Sequence, residues 1–196
     1  RVDEQIGRLR DGIRATGLPV NLFVVADHGM LMTSAPVSIG KASEFEGFRA
    51  APAAGSQVML YSADKALVES TYRRLRGKDR RYRVYRREET PAYLHYRDNP
   101  RIGDIVVIAA TPSPIGIEQP GAPLTTSKGA HGYDTRRFPN MRGIFLAQGP
   151  QLQSRVTLEP FENVNIYPLI AEILGLKITQ PIDGKLSVLG RVLVRR

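Results

Sequence analysis

The sequence predicts an α/β protein: part of a doubly wound, mostly parallel sheet flanked by helices, with a small α+β insertion. Three observations carry this expectation. Val2, Ile6, Leu9 and Ile13 recur at spacings of four, three and four, which is one face of an amphipathic helix. Residues 20–26 (VNLFVVA) follow as a nearly unbroken apolar run. Further runs stand at 104–110 (DIVVIAA) and 143–147 (GIFLA). A strand that is apolar at successive positions buries both faces, as in a parallel sheet covered by helices.

Gly17 and Pro19 end the first helix, because glycine accepts the left-handed C-terminal conformation and proline cannot continue a helix. Residues 30–55 are rich in small residues, Pro and Gly, and read as loop with short strands. QVMLYS (57–62) is a strand candidate. Residues 64–76 read as a helix, with Asp64 as N-cap and Ala66, Leu67, Thr71 and Leu75 on its inner side. Residues 82–86 (YRVYR) alternate as a half-exposed strand would. Residues 111–128 hold four prolines and two glycines and read as a loop or irregular crossing. Residues 161–174 read as a helix in which Pro168 either causes a kink or sits in the first turn. The apolar tail KLSVLGRVLV packs back on the body. The expected organisation is a first part of the α/β core at 1–55, a strand–helix–strand insertion at 56–100, and the remainder of the core at 101–196.

Composition narrows the function. A chain of 196 residues is long enough for one sizeable core, and 42% hydrophobic with 24% charged residues is ordinary for a globular protein. No apolar run approaches the ~18 residues of a membrane span. The absence of cysteine excludes disulfides and thiolate metal sites within these residues. The formal net charge is +9, and much of the excess lies in YRRLRGKDRRYRVYRREE, 72–89. That stretch reads first as a solvated face, second as an electrostatic aid for anionic substrates, and last as a nucleic-acid surface. No zinc finger, RNP motif or heptad supports the last reading. The preference for Arg over Lys fits a bacterial source with a GC-rich genome.

Three histidines are present. His28 follows Asp27 at the carboxyl end of the first apolar run, where ligand sites of open α/β sheets lie. Neighbours on a continuing strand point to opposite faces, but Gly29 permits the turn that lets both reach one ion. A carboxylate oxygen and an imidazole nitrogen together suit zinc or a similar divalent metal. His131 lies between Gly129 and Gly132, in a loop able to approach an ion or phosphate. In the competing reading Asp27 caps a turn, His28 is a satisfied core residue and His131 is a surface loop residue. Spacing alone leaves both open. His95, in YLHYRD, reads as structural. Tyr133 and Asp134 read equally as loop packing or as support for the site. Lys128 reads as a surface residue rather than a phosphate contact.

One set of segments goes further. VVADHGM, then GAHGYD about a hundred residues later, MRGIFLAQGP, PFENVNIYPLIAEILGL and PIDG occur in one order. Together they resemble the C-terminal half of a nucleotide pyrophosphatase/phosphodiesterase of the alkaline phosphatase superfamily. The resemblance covers nearly the whole chain. It implies an alkaline phosphatase-like fold and a two-zinc hydrolase of phosphodiester or pyrophosphate bonds in nucleotides. It also implies a threonine nucleophile that passes through a covalent phospho-threonine. Asp27 and His28 match the pair that holds the zinc beside the nucleophile, and His131 matches a ligand of the second zinc. The nucleophile, an early Asp and an Asp-x-x-x-His pair are expected upstream of Arg1, where the chain reads as a helix already in progress. The family often shows HGYDN, whereas Thr135 follows Asp134 here, which bears on the loop's hydrogen bonding and not on the ligand. The implied partners are a nucleotide or other small phosphodiester, without a membrane span, and the implied location is periplasmic or secreted. Other readings are a phosphomonoesterase or phosphonate hydrolase of the same superfamily, or a non-catalytic basic fragment that binds nucleic acid.

Overall fold

A computed structural model describes residues 1–51, 55–125 and 127–194. The expected loops at 30–55 and 111–128 lie partly outside the described residues, as does the end of the 101–196 segment. In chain order the elements are helix α1 (Val2–Ala15) and strands β1 (Leu22–Val25), β2 (Leu31–Met32), β3 (Val37–Lys41), β4 (Arg49–Ala51) and β5 (Gln57–Tyr61). Helix α2 (Lys65–Leu75) follows, then β6 (Tyr82–Arg86), β7 (Ile105–Ala109), β8 (Ile115–Glu118), β9 (Gly129–Ala130) and β10 (Phe145–Gln148). Helices α3 (Ile166–Ile173) and α4 (Leu186–Leu189) close the chain. They form two compact units, Arg1–Asp27 with Gly143–Arg196, and His28–Arg142.

In the His28–Arg142 unit a four-stranded antiparallel sheet runs in the order β4-β5-β7-β6. β7 is central, and Ile105, Val106 and Val107 are all fully buried, so both of its faces are covered. Val58, Val107 and Val84 stand opposite one another on the face that packs with Val68, Tyr72 and Leu75 of α2. On the other face, the Tyr96 hydroxyl lies 2.9 Å from Met59 Sδ. The unbroken run at 104–110 therefore reports burial of two faces and not strand direction. Among the described residues only β3 and β8 pair in parallel, and every other strand pair is antiparallel.

Helix α2 starts where expected. The Asp64 carboxylate accepts the backbone N–H groups of Ala66 and Leu67 at 2.9 and 3.0 Å, supplying partners that the first turn lacks. Its buried face is Val68, Thr71, Tyr72 and Leu75, one step round the helix from the expected Ala66–Leu67 side. Thr71 and Leu75 are on the face as expected, while Val68 and Tyr72 take the places of Ala66 and Leu67. The Pro-rich 111–128 stretch, which reads in the sequence as a loop or irregular crossing, contains β8. Ile115 and Ile117 are buried there, and pairing with β3 satisfies the backbone between the prolines.

In the other unit β1 pairs antiparallel with β10, and Phe23, Phe145 and Ala147 face a cluster of Leu152, Leu169, Leu189 and Val192. Pro168 sits in the first turn of α3, where its missing N–H costs no hydrogen bond. Of the two covered faces expected for 20–26, the described residues cover one. Val25 is 49% exposed, Leu146 on the opposite face is 61% exposed, and α1 has no buried residue. Only one face of the β1–β10 ladder has a covering layer among the described residues.

Candidate functional site

The ladder between β2 and β9 brings two distant segments together. It is only two residue pairs long, Leu31 with Ala130 and Met32 with Gly129, and it is antiparallel. His28 precedes β2 by three residues and His131 directly follows β9, so both leave the ladder at the same end. Their rings stack with centroids 3.9 Å apart and planes within 7° of parallel.

Glycines make the approach possible. A Cβ on Gly29 would lie 1.9 Å from the Asn140 carbonyl oxygen, and the Gly29 N–H donates to the Met141 carbonyl at 2.8 Å. This close backbone passage leaves no room for any other residue. Gly132 has φ +85°, a left-handed conformation that glycine adopts without strain.

His28 is oriented by its own neighbour. Its Nδ1 lies 2.8 Å from the Gly29 carbonyl oxygen. A carbonyl only accepts, so Nδ1 carries the proton and, in the neutral ring, Nε2 carries the lone pair. Metal-binding histidines are commonly held this way. Among the described residues no group of three His, Asp or Glu side chains is placed to hold a single ion. Asp27, next to His28 in the chain, is exposed and is the last residue of the other unit, where its carbonyl accepts from Asn163 Nδ2 at 3.4 Å.

The loop after His131 is tied down by a residue that the sequence reading missed. The Tyr93 hydroxyl donates to Asp134 Oδ2 at 2.7 Å. Asp134 Oδ1 accepts the Arg136 N–H at 2.9 Å, and its carbonyl accepts the N–H groups of Arg137 and Phe138. The Arg136 guanidinium lies 3.8 Å over the Tyr93 ring. Burial, then the hydrogen bond to Asp134 and its negative charge, push the Tyr93 phenol up to about 12. Asp134 is therefore a support of the loop, and the exposed Thr135 carries none of these bonds. Tyr133 points into the core with 4% exposure, and burial raises its phenol as well. Among the described residues its hydroxyl has no hydrogen-bond partner. His95 is exposed at the end of a short 3-10 turn with φ 50°. Lys128 is exposed, and its carbonyl accepts the Thr33 N–H at 3.1 Å. No sequence signal marked Tyr93, because its partner is 41 residues away and only the fold joins them.

Comparison with known proteins places this framework. The family model for type I phosphodiesterase / nucleotide pyrophosphatase matches residues 1–134. Rat ectonucleotide pyrophosphatase/phosphodiesterase family member 7 is 31% identical over 204 residues, covering 96% of this chain and 44% of the rat protein. Bovine bis(5'-adenosyl)-triphosphatase ENPP4 is 28% identical over 180 residues, covering 90% of this chain and 38% of the bovine one. The structure of murine ectonucleotide pyrophosphatase/phosphodiesterase 5 superposes with a TM-score of 0.81 at 27% identity, over 98% of this chain and 51% of the murine one. An inactive form of that murine protein is also known in complex with AMP. The chain spans about half the length of these relatives or less. The architecture is thus of the alkaline phosphatase-like α/β class. Within it, the chain belongs to the type I phosphodiesterase / nucleotide pyrophosphatase family.

Proposed function

We propose that this chain supplies half of the active site of a metal-dependent hydrolase of phosphodiester or pyrophosphate bonds in nucleotides. The observation that carries the proposal is the parallel stack of His28 on His131 at 3.9 Å, in a chain of this family. Asp27 and His28 would hold one zinc ion and His131 would help to hold a second. The two ions would supply charge stabilisation for the attacking and leaving oxygens. His28 contributes a preset tautomer through its bond to the Gly29 carbonyl. Tyr93 and Asp134 contribute a fixed loop at His131. The threonine nucleophile and the remaining ligands belong, in this proposal, to the part of the relatives' length that the chain does not span. The same part would cover α1 and the open face of β1 and β10, and would complete a doubly wound, mostly parallel sheet. Residues 56–100 would then be an insertion between core segments 1–55 and 101–196.

The murine relative's complex with AMP supports a nucleotide as substrate class. Export to the periplasm or the exterior fits relatives named as ectonucleotide enzymes, and a bacterial source fits the Arg bias. No described helix is long and apolar enough to cross a membrane.

The test uses the full-length protein. Its zinc content should fall in His28→Ala and in His131→Ala, and each variant should lose at least ~10-fold in zinc affinity. A nucleotide diester should be cleaved faster than a monoester. Strong preference for the monoester would instead favour the phosphomonoesterase reading. Unchanged zinc content in both variants would remove His28 and His131 from the site.

A further inference from the structure

The strongest feature outside the stacked histidines lies where α2 ends beside β6. β6 is an edge strand of the four-stranded sheet. Between it and the turn after α2 opens a cavity of about 500 Å³, within the ~300–1,000 Å³ range of small-molecule sites. Three arginines line it: Arg76 just past the helix, Arg80 in the turn and Arg83 on the strand.

Their charges are not balanced. The two lining carboxylates are Asp79 and Glu89, and each is already taken by an arginine outside the lining. Arg81 Nη2 meets Asp79 Oδ2 at 2.6 Å. Arg86 Nη1 meets Glu89 Oε1 at 2.6 Å, and the Tyr72 hydroxyl donates to Glu89 Oε2 at 2.8 Å. No carboxylate among the described residues pairs with Arg76, Arg80 or Arg83. Arg76 lies 5.6 Å over the Tyr72 ring, and Arg83 Nη1 donates to the carbonyls of Arg80 and Tyr82. All three residues are exposed, so their guanidinium groups keep donors available to a ligand.

We infer that this cavity binds a linear oligophosphate, either free or as the phosphate chain of a nucleotide. Three guanidinium groups around one cavity match three linked phosphoryl groups, since each planar fork takes two oxygens of one phosphate. The cavity's size sets the ligand as a small molecule rather than a long polymer. The alternative is a charged edge strand, where arginines merely prevent pairing with another sheet. That role requires positive charge but no stoichiometric ligand. The inference does not rest on the metal site.

The probe is inorganic tripolyphosphate, titrated calorimetrically into the full-length protein after metal removal. Metal removal keeps His28 and His131 from contributing. One equivalent should bind, and binding should weaken at least ~10-fold in Arg76→Gln/Arg83→Gln. The charge-matched Arg8→Gln/Arg10→Gln variant on α1 should bind as the wild type does. The Arg76→Gln/Arg83→Gln variant should keep the wild-type melting temperature without ligand, because both side chains are exposed. Adenosine triphosphate in place of tripolyphosphate separates the two sources: equal affinity assigns the free oligophosphate, and tighter binding assigns the nucleotide. The inference is overturned if 1 mM tripolyphosphate does not bind, if the two double variants weaken binding equally, or if sulfate at equal ionic strength competes as well. It is also overturned if a 20-nucleotide RNA binds ~100-fold more tightly through the same arginines, which would make the face a nucleic-acid surface.

Discussion

The hydroxyl of Tyr93 lies 2.7 Å from the carboxylate of Asp134, three residues beyond His131. A partly buried phenol thereby anchors the loop that presents one of the two stacked imidazoles. Tyr93→Phe removes this donor and leaves the carboxylate with one partner fewer. The expected cost is about 1–2 kcal/mol of stability, measured by urea denaturation.

The same contact has a signature in alkali. The folded-state value of Tyr93, about 12, lies above that of a free tyrosine, ~10. The stability it confers is thus complete below pH ~10 and is lost as pH rises through about 12. In a spectrophotometric titration, one late-ionising tyrosine should vanish from the curve of Tyr93→Phe. Loss of a tyrosine that ionises near ~10 instead would mean that this phenol titrates normally.

Gly29 tolerates no side chain, since a Cβ would meet the Asn140 carbonyl at 1.9 Å. Backbone atoms on both sides leave nothing flexible to yield. Gly29→Ala should cost about 3 kcal/mol and displace the His28 ring, seen as lost zinc affinity even in protein that remains folded. Full retention of both would show that the 29 and 140 segments can separate cheaply.

Asp104 links three elements. It accepts from Lys65 Nζ at 3.1 Å, from Arg87 Nη2 at 3.2 Å and from the Ser62 N–H at 3.2 Å. Burial raises its carboxyl, but the Lys65 hydrogen bond, the Ser62 N–H and the two cationic charges outweigh it and hold the group below the usual range. The sign follows: its contribution is present above the ordinary carboxylate value, ~4, and is lost as pH falls below it. Asp104→Asn should flatten the acid limb of the stability curve, followed by melting temperature between pH 5 and 2.

Asp64→Ala removes both cap bonds of α2 and should cost about 1 kcal/mol. Hydrogen exchange should speed up first at Ala66 and Leu67. Uniform acceleration across the helix would instead point to loss of its packing.

Local chemistry made some of this legible in the sequence. Asp64 and Pro168 act within one helical turn, so their roles are encoded beside them. The apolar runs marked buried strands, but β7 shows that two-sided burial is compatible with antiparallel neighbours, so strand direction was not encoded there. At the site, the residue types and the flanking glycines singled out His28 and His131. Their stacking depends on a two-residue ladder between segments about a hundred residues apart, which no local pattern specifies. Tyr93 was invisible for the same reason. β8 was hidden by its prolines, which looked like breakers but stand outside the four residues that pair.

Strand β6 alternates strictly at its start, with Tyr82 and Val84 inward and Arg83 outward. Its two sets of side chains therefore answer to separate demands. The inward set is fixed by the sheet, whereas Arg83 of the outward set is exposed. A strand of this kind can change its surface chemistry by single codon changes while the residues that hold it in the sheet stay the same.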